Sequence, residues 1–87
     1  MALTKIKCTD GFELGAYEAI PSGNAKGAVV VIQEVFGVNS HIRSVVDDYA
    51  AEGFYAIAPA IFDRLEHDVQ LDYSEAGMTK GIELAFQ

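Results

Sequence analysis

The run Ala28-Val29-Val30-Val31-Ile32 limits what this chain can become more than any other segment. Five consecutive apolar residues, four of them β-branched, fit a strand buried on both faces of a parallel sheet. A parallel neighbour needs a crossover connection, and the following residues have the pattern of one. Gln33 to Asn39 is a polar, glycine-containing link. From Ser40 to about Glu52, Ile42, Val45, Val46, Tyr49 and Ala50 recur at helical spacing and form one apolar stripe. Asn39 or Ser40 can cap that helix, Arg43 and Asp47 are spaced to pair, and Gly53 suits a left-handed stop. Phe54 to Ala58 is a second apolar strand, ended by Pro59. Strand, helix and strand in this order predict a right-handed βαβ unit.

The flanks are simpler. Leu3 to Cys8 and Phe12 to Ala19 are separated by Thr9-Asp10-Gly11, which predicts an antiparallel hairpin turning on Gly11. Pro21 to Gly27 is a loop, and a charged loop runs from beyond Phe62 to Asp72. A last helix is expected near Ser74, with Met78, Ile82, Ala85 and Phe86 on one face, although Gly77 and Gly81 weaken it. The pair Gly77 and Gly81 has G-x-x-x-G spacing, which outside a membrane span is expected to be incidental. The whole of residues 1–87 reads as a single, partial α/β domain.

Composition narrows the partners. Thirteen acidic against six basic residues give a net charge of −7, which opposes binding to nucleic acid or an anionic membrane. No apolar run approaches the length of a membrane span. The first residues lack the pattern of a secretory signal, and Cys8 has no partner for an internal disulfide. A cytoplasmic protein is expected, with neither cofactor nor metal.

In open α/β sheets, ligands bind beyond the carboxyl ends of parallel strands. Here that position is Gln33-Glu34-Val35-Phe36-Gly37. Glu34 directly follows the apolar run, so its carboxylate is expected to be partly desolvated and able to exchange protons near neutral pH. The plainer expectation is a solvated strand end. His41 in the first turn of the helix and His67 among acidic residues are both expected to be surface histidines. Cys8 is expected to pack as a small apolar residue.

Gln33-Glu34-Val35-Phe36-Gly37-Val38-Asn39, followed by His41-Ile42-Arg43, resembles the corresponding motif of the dienelactone hydrolase family. Gly53 to Pro59, then Ile61-Phe62 and Arg64, is similar to the segment that follows in that family, so the likeness is continuous from about Gly27 to Arg64. The resemblance implies the N-terminal part of an α/β-hydrolase sheet, with strands in the order 1-2-4-3. It implies a hydrolase of small carboxylic ester or lactone substrates. Glu34 would be the activating or accessory base, and the Val35 backbone N–H would donate to the oxyanion hole. Gln33, Phe36 and Gly37 would border the substrate pocket.

The departures are as informative. The family's nucleophile sits on a Gly-x-Cys-x-Gly or Gly-x-Ser-x-Gly elbow, and neither pattern occurs here. The family's acid and histidine lie further along still. Where the type enzyme places an arginine and a tyrosine for a substrate carboxylate, this chain has Ala76 and Lys80. Gln87 falls inside a helical pattern without a cap, so a fragment lacking nucleophile, acid and histidine, and inactive alone, is expected. The Ala28–Ile32 strand would then be an open edge, completed by a missing C-terminal portion or by a homodimer. The alternative is a non-catalytic βαβ module that self-associates or binds a partner through that edge.

Overall fold

The computed structural model describes residues 2–87. Strands β1 (Ala2–Lys7), β2 (Glu13–Ala19), β3 (Ala28–Val30) and β4 (Tyr55–Pro59) form one sheet in the order β1-β2-β4-β3. Helix α1 (Ser40–Ala51) connects β3 to β4, a 3-10 turn occupies Ile61–Arg64, and helix α2 (Glu75–Ala85) follows. β1 and β2 are antiparallel, as are β2 and β4, whereas β3 and β4 are parallel. This is the mixed α/β arrangement expected from the sequence.

The hairpin turns where Asp10-Gly11 placed it. Gly11 has φ +91°, and the Phe12 N–H donates to Asp10 Oδ1 at 3.1 Å. Arg64 reaches back with both terminal nitrogens to the Asp10 carboxylate, at 2.8 and 3.1 Å, and lies over the Phe12 ring. That pair is exposed, so its contribution to stability is small.

One sheet face carries the core. The register Ala19↔Ala56 and the neighbouring Ala58, opposite Tyr17, put small residues of β2 and β4 on this face, and α1 packs on them through Ile42 and Val46. Alanines in the strands let the helix lie close, and Val46 is completely buried. Arg43 and Asp47 do not pair with each other. The Tyr17 hydroxyl donates to Asp47 at 2.9 Å, while Arg43 donates to the Val38 carbonyl and to Asp68. Partners outside the helix, a donor for Asp47 and acceptors for Arg43, win over the helical spacing. Burial, followed by the Asp47 hydrogen bond and charge, raises the Tyr17 phenol above the usual tyrosine range.

The other face corrects the expectation of a fully buried strand. β3 is only three residues long, and Val30 and Ile32 are 59% and 64% exposed. Val30 lies beside Ile57 on the face away from α1, where it meets water. β3 is also the outer strand of the sheet, as the family topology implied.

A second, smaller core joins Phe62, Val69 and Leu84, with Leu71 against them. Beside it, the buried Asp63 carboxylate accepts the Gly15 N–H at 2.7 Å through Oδ2 and the Asp68 N–H at 2.9 Å through Oδ1. These bonds fasten the charged loop to β2. The packed face of α2 is not the expected one. Gly77, Gly81 and Leu84 are buried, while Met78, Ile82 and Phe86 are exposed. A Cβ on Gly77 would overlap the Asp72 carbonyl, and one on Gly81 the Val35 carbonyl. The spacing expected to be incidental is what allows close approach here. Among the described residues, no helix is long and apolar enough to cross a membrane.

Candidate active site

The loop after β3 is built by its own hydrogen bonds and by the elements around it. The Val31 N–H donates to the Ile57 carbonyl at 2.8 Å, extending the ladder to the lip of the sheet. Gln33 then bridges outwards: its Oε1 accepts the Ile61 N–H at 2.9 Å and its Nε2 donates to the Glu34 carbonyl at 3.0 Å. The chain reverses at Gly37, whose φ is +81° and whose N–H donates to the Glu34 carbonyl at 3.0 Å. That conformation favours glycine, because an L side chain in the left-handed region crowds the backbone.

Asn39 closes the loop and starts α1. Its Oδ1 accepts the Ile42 N–H at 3.1 Å, and its Nδ2 donates to the Leu71 carbonyl at 3.2 Å. Asn39 is therefore the helix cap as well as a tie between the loop and the segment before α2. Asn39→Ala is expected to lower stability by about 1–2 kcal/mol, since it leaves an amide of the first helical turn unsatisfied. A urea titration followed by helical circular dichroism measures it, and a loss under about 0.3 kcal/mol would contradict the capping role.

The structure gathers the five residues named from the sequence, Gln33 to Gly37, in one loop beyond β3, but their exposure differs. Phe36 and Gly37 are buried, Gln33 and Val35 are half-buried, and Glu34 is exposed. The expected desolvation of Glu34 does not occur in this chain, because β3 is an outer strand. The Glu34 carboxylate is nevertheless held: the Tyr73 hydroxyl donates to Oε1 at 2.8 Å. Tyr73 also packs edge-on against Phe36, with ring centroids 4.4 Å apart. Its phenol is raised above the usual range. The Asn39 side chain acts in the opposite direction, and the Glu34 hydrogen bond, burial and the Glu34 charge outweigh it.

Among the described residues, the Val35 N–H donates to neither a backbone carbonyl nor a side chain. The Val35 carbonyl lies against Gly81 of α2, so the helix backs the loop directly. Val35 directly follows Glu34 in the chain, so an unpaired N–H and a carboxylate belong to consecutive residues of one loop. Two residues of this arrangement are not identifiable as site residues from the sequence. Tyr73 carries no spacing signal, and the G-x-x-x-G spacing of Gly81 does not point to a site.

The remaining candidates stay outside the site. His41 is exposed, with its ring 6.4 Å from that of Tyr73. His67 is exposed, and its Nδ1 is 3.9 Å from Asp63 Oδ2. Among the described residues, no three His, Cys, Asp or Glu side chains gather as metal ligands. A concavity of about 600 Å³ lies elsewhere, against the hairpin, bordered by Leu3, Phe12, Tyr17 and Arg43. It excludes Glu34 and Val35.

The sequence profile of the dienelactone hydrolase family matches residues 14–83. The chain belongs to the dienelactone hydrolase family. The relative named "Putative carboxymethylenebutenolidase" in Synechocystis sp. is 49% identical over 59 residues, covering 68% of this chain and 24% of its own length. The protein of the same name in Azospirillum brasilense is 42% identical over 67 residues, covering 76% of this chain and 29% of its own. The crystal structure of a protein named "Putative Dienelactone Hydrolase" from Klebsiella pneumoniae superposes with a TM-score of 0.70 at 29% identity, over 94% of this chain and 35% of that one. This chain thus spans about a quarter of the length of the curated relatives it matches. The hydrolase ancestry and the α/β fold expected from the motif both hold.

Proposed function

We propose that this chain forms one side of an active site that hydrolyses small carboxylic esters or lactones, and that it is inactive by itself. The observation that carries the reading is the loop after β3, where the unpaired Val35 N–H follows Glu34, whose carboxylate is held by the Tyr73 hydroxyl. Glu34 acts as the activating or accessory base, taking the proton of a nucleophile supplied by other sequence. The Val35 N–H stabilises the oxyanion that forms when the ester carbonyl is attacked, a contribution of several kcal/mol for a preorganised donor. Phe36 and Gln33 border the acyl group, and the turn at Gly37 keeps both reacting groups on one rim. No gathered ligand set calls for a metal among the described residues, and a cytoplasmic setting suits the lone cysteine.

The test is a chimera in which this chain replaces the matching segment of the Synechocystis relative. The chimera is expected to hydrolyse p-nitrophenyl acetate, and the 87-residue chain alone is expected to match the buffer blank. Glu34→Gln in the chimera is expected to lower kcat/KM by about a hundredfold, the usual scale for a lost general base. Full activity in that variant would overturn the role of Glu34. A folded but inactive chimera would favour the second reading, a non-catalytic βαβ module.

A further inference from the structure

We infer that Tyr73 is the positioning residue for Glu34, tying the carboxylate by Oε1 so that the base works through Oε2. The inference rests on the reading of Glu34 as a base. Glutamate has three side-chain torsions, and an exposed one at a strand end samples many rotamers. Here the Tyr73 hydroxyl donates to Oε1 at 2.8 Å, and Oε2 has no hydrogen-bond partner among the described residues. One oxygen is therefore a fixed pivot, and the other has its lone pairs available for a proton.

The pivot is itself anchored from two sides. The Tyr73 ring meets Phe36 edge-on, so the aromatic body that holds the hydroxyl in place rests on the next residue but one after Glu34. Tyr73 immediately precedes Ser74, the cap of α2, whose side chain accepts the Gly77 N–H at 3.1 Å. Gly77 and Gly81 then bring α2 against Asp72 and Val35. The residue that positions the base thus leads directly into the helix that backs Val35 at its carbonyl. Near neutral pH the phenol keeps its proton, because a tyrosine ordinarily titrates only in the alkaline range and, against the Asn39 side chain, the Glu34 hydrogen bond, burial and charge move it further up. It therefore donates to the carboxylate and does not compete with a nucleophile for the base.

The 87-residue chain gives the first test, by nuclear magnetic resonance with 13Cζ-labelled tyrosine and side-chain scalar couplings of Glu34. In the parent chain, Glu34 is expected to show couplings of one dominant rotamer. Tyr73→Phe is expected to average them while leaving the backbone amide spectrum of β1 to β4 unchanged. Glu34→Gln is expected to move the Tyr73 titration midpoint down and leave that of Tyr55 in place. Rotamer couplings unaffected by Tyr73→Phe, or a Tyr73 midpoint unaffected by Glu34→Gln, would overturn the inference.

In the active chimera, Tyr73→Phe is expected to lower kcat about tenfold with little change in KM, as misplacement of a reacting group does. The double variant is expected to be no slower than Glu34→Gln alone. Additive losses would mean that Tyr73 acts apart from Glu34. The base reading stands or falls on Glu34→Gln alone, so failure of the positioning role is recognisable separately.

Discussion

Gly37→Ala is expected to remove about 2–5 kcal/mol of folding stability, enough to unfold much of the population of a chain this small. Two costs add. The residue sits at φ +81°, where an alanine costs about 1–2 kcal/mol. Its Cβ would also overlap the Val69 carbonyl and lie 3.2 Å from Val69 Cγ1. Val69 cannot retreat easily, because it is buried against Phe62 and Leu84. Such overpacking costs about 1–3 kcal/mol, against a total stability of roughly 4–13 kcal/mol for 87 residues at the usual per-residue scale. The damage also reaches the site. Leu71 donates to the Phe36 carbonyl at 2.8 Å beside Gly37, so pushing Val69 away shifts the segment that leads to Tyr73. Urea unfolding followed by helical circular dichroism measures the loss, and a variant within about 0.5 kcal/mol of the parent would refute this account of the turn.

Asp63→Ala is the second large effect, at about 3 kcal/mol. The carboxylate is buried and accepts two backbone N–H groups, from Gly15 and Asp68. Each partly buried donor left without an acceptor costs about 1–3 kcal/mol, and the lower end applies at Asp68, where water can enter. Space decides what can replace the carboxylate. A Cβ on Gly15 would stand 2.8 Å from Asp63 Oδ2, so the strand and the carboxylate fit only because that glycine has no side chain. Asp63→Asn preserves the shape and one acceptor oxygen, so it should cost clearly less than alanine. Equal losses for both variants would show that packing, not hydrogen bonding, is what Asp63 supplies. Amide hydrogen exchange at Gly15 separates the two, because an orphaned N–H exchanges faster.

Much of the fold was legible because its signals are local. A β-branched run, a helical stripe and an Asp-Gly turn each act over a few residues, and the βαβ order follows from their succession. The motif around Glu34 and Val35 was legible for the same reason, since one strand end and one turn place both residues. What escaped depends on contacts distant in sequence. Tyr73 meets Glu34 across 39 positions, and Asp63 meets Gly15 across 48. No periodicity encodes either pair. The apolar pattern misled at the exposed face of β3 and again along α2. Met78, Ile82 and Phe86 look like the packed face of α2, but the helix packs through Gly77, Gly81 and Leu84. Backbone contact at a carbonyl needs absence of a side chain, and hydrophobic periodicity is blind to absence.

The amino-acid sequence by itself determined the strand–helix–strand unit, the hairpin before it and the position of Glu34 and the Val35 amide on one loop. Those follow from side-chain size, β-branching and glycine, which act on the nearest turns of backbone. Only the tertiary structure decided that Glu34 is exposed, that Val30 and Ile32 meet water, and that Tyr73 and α2 brace the site. Exposure and bracing depend on which elements end up adjacent, and that is settled when the whole chain packs.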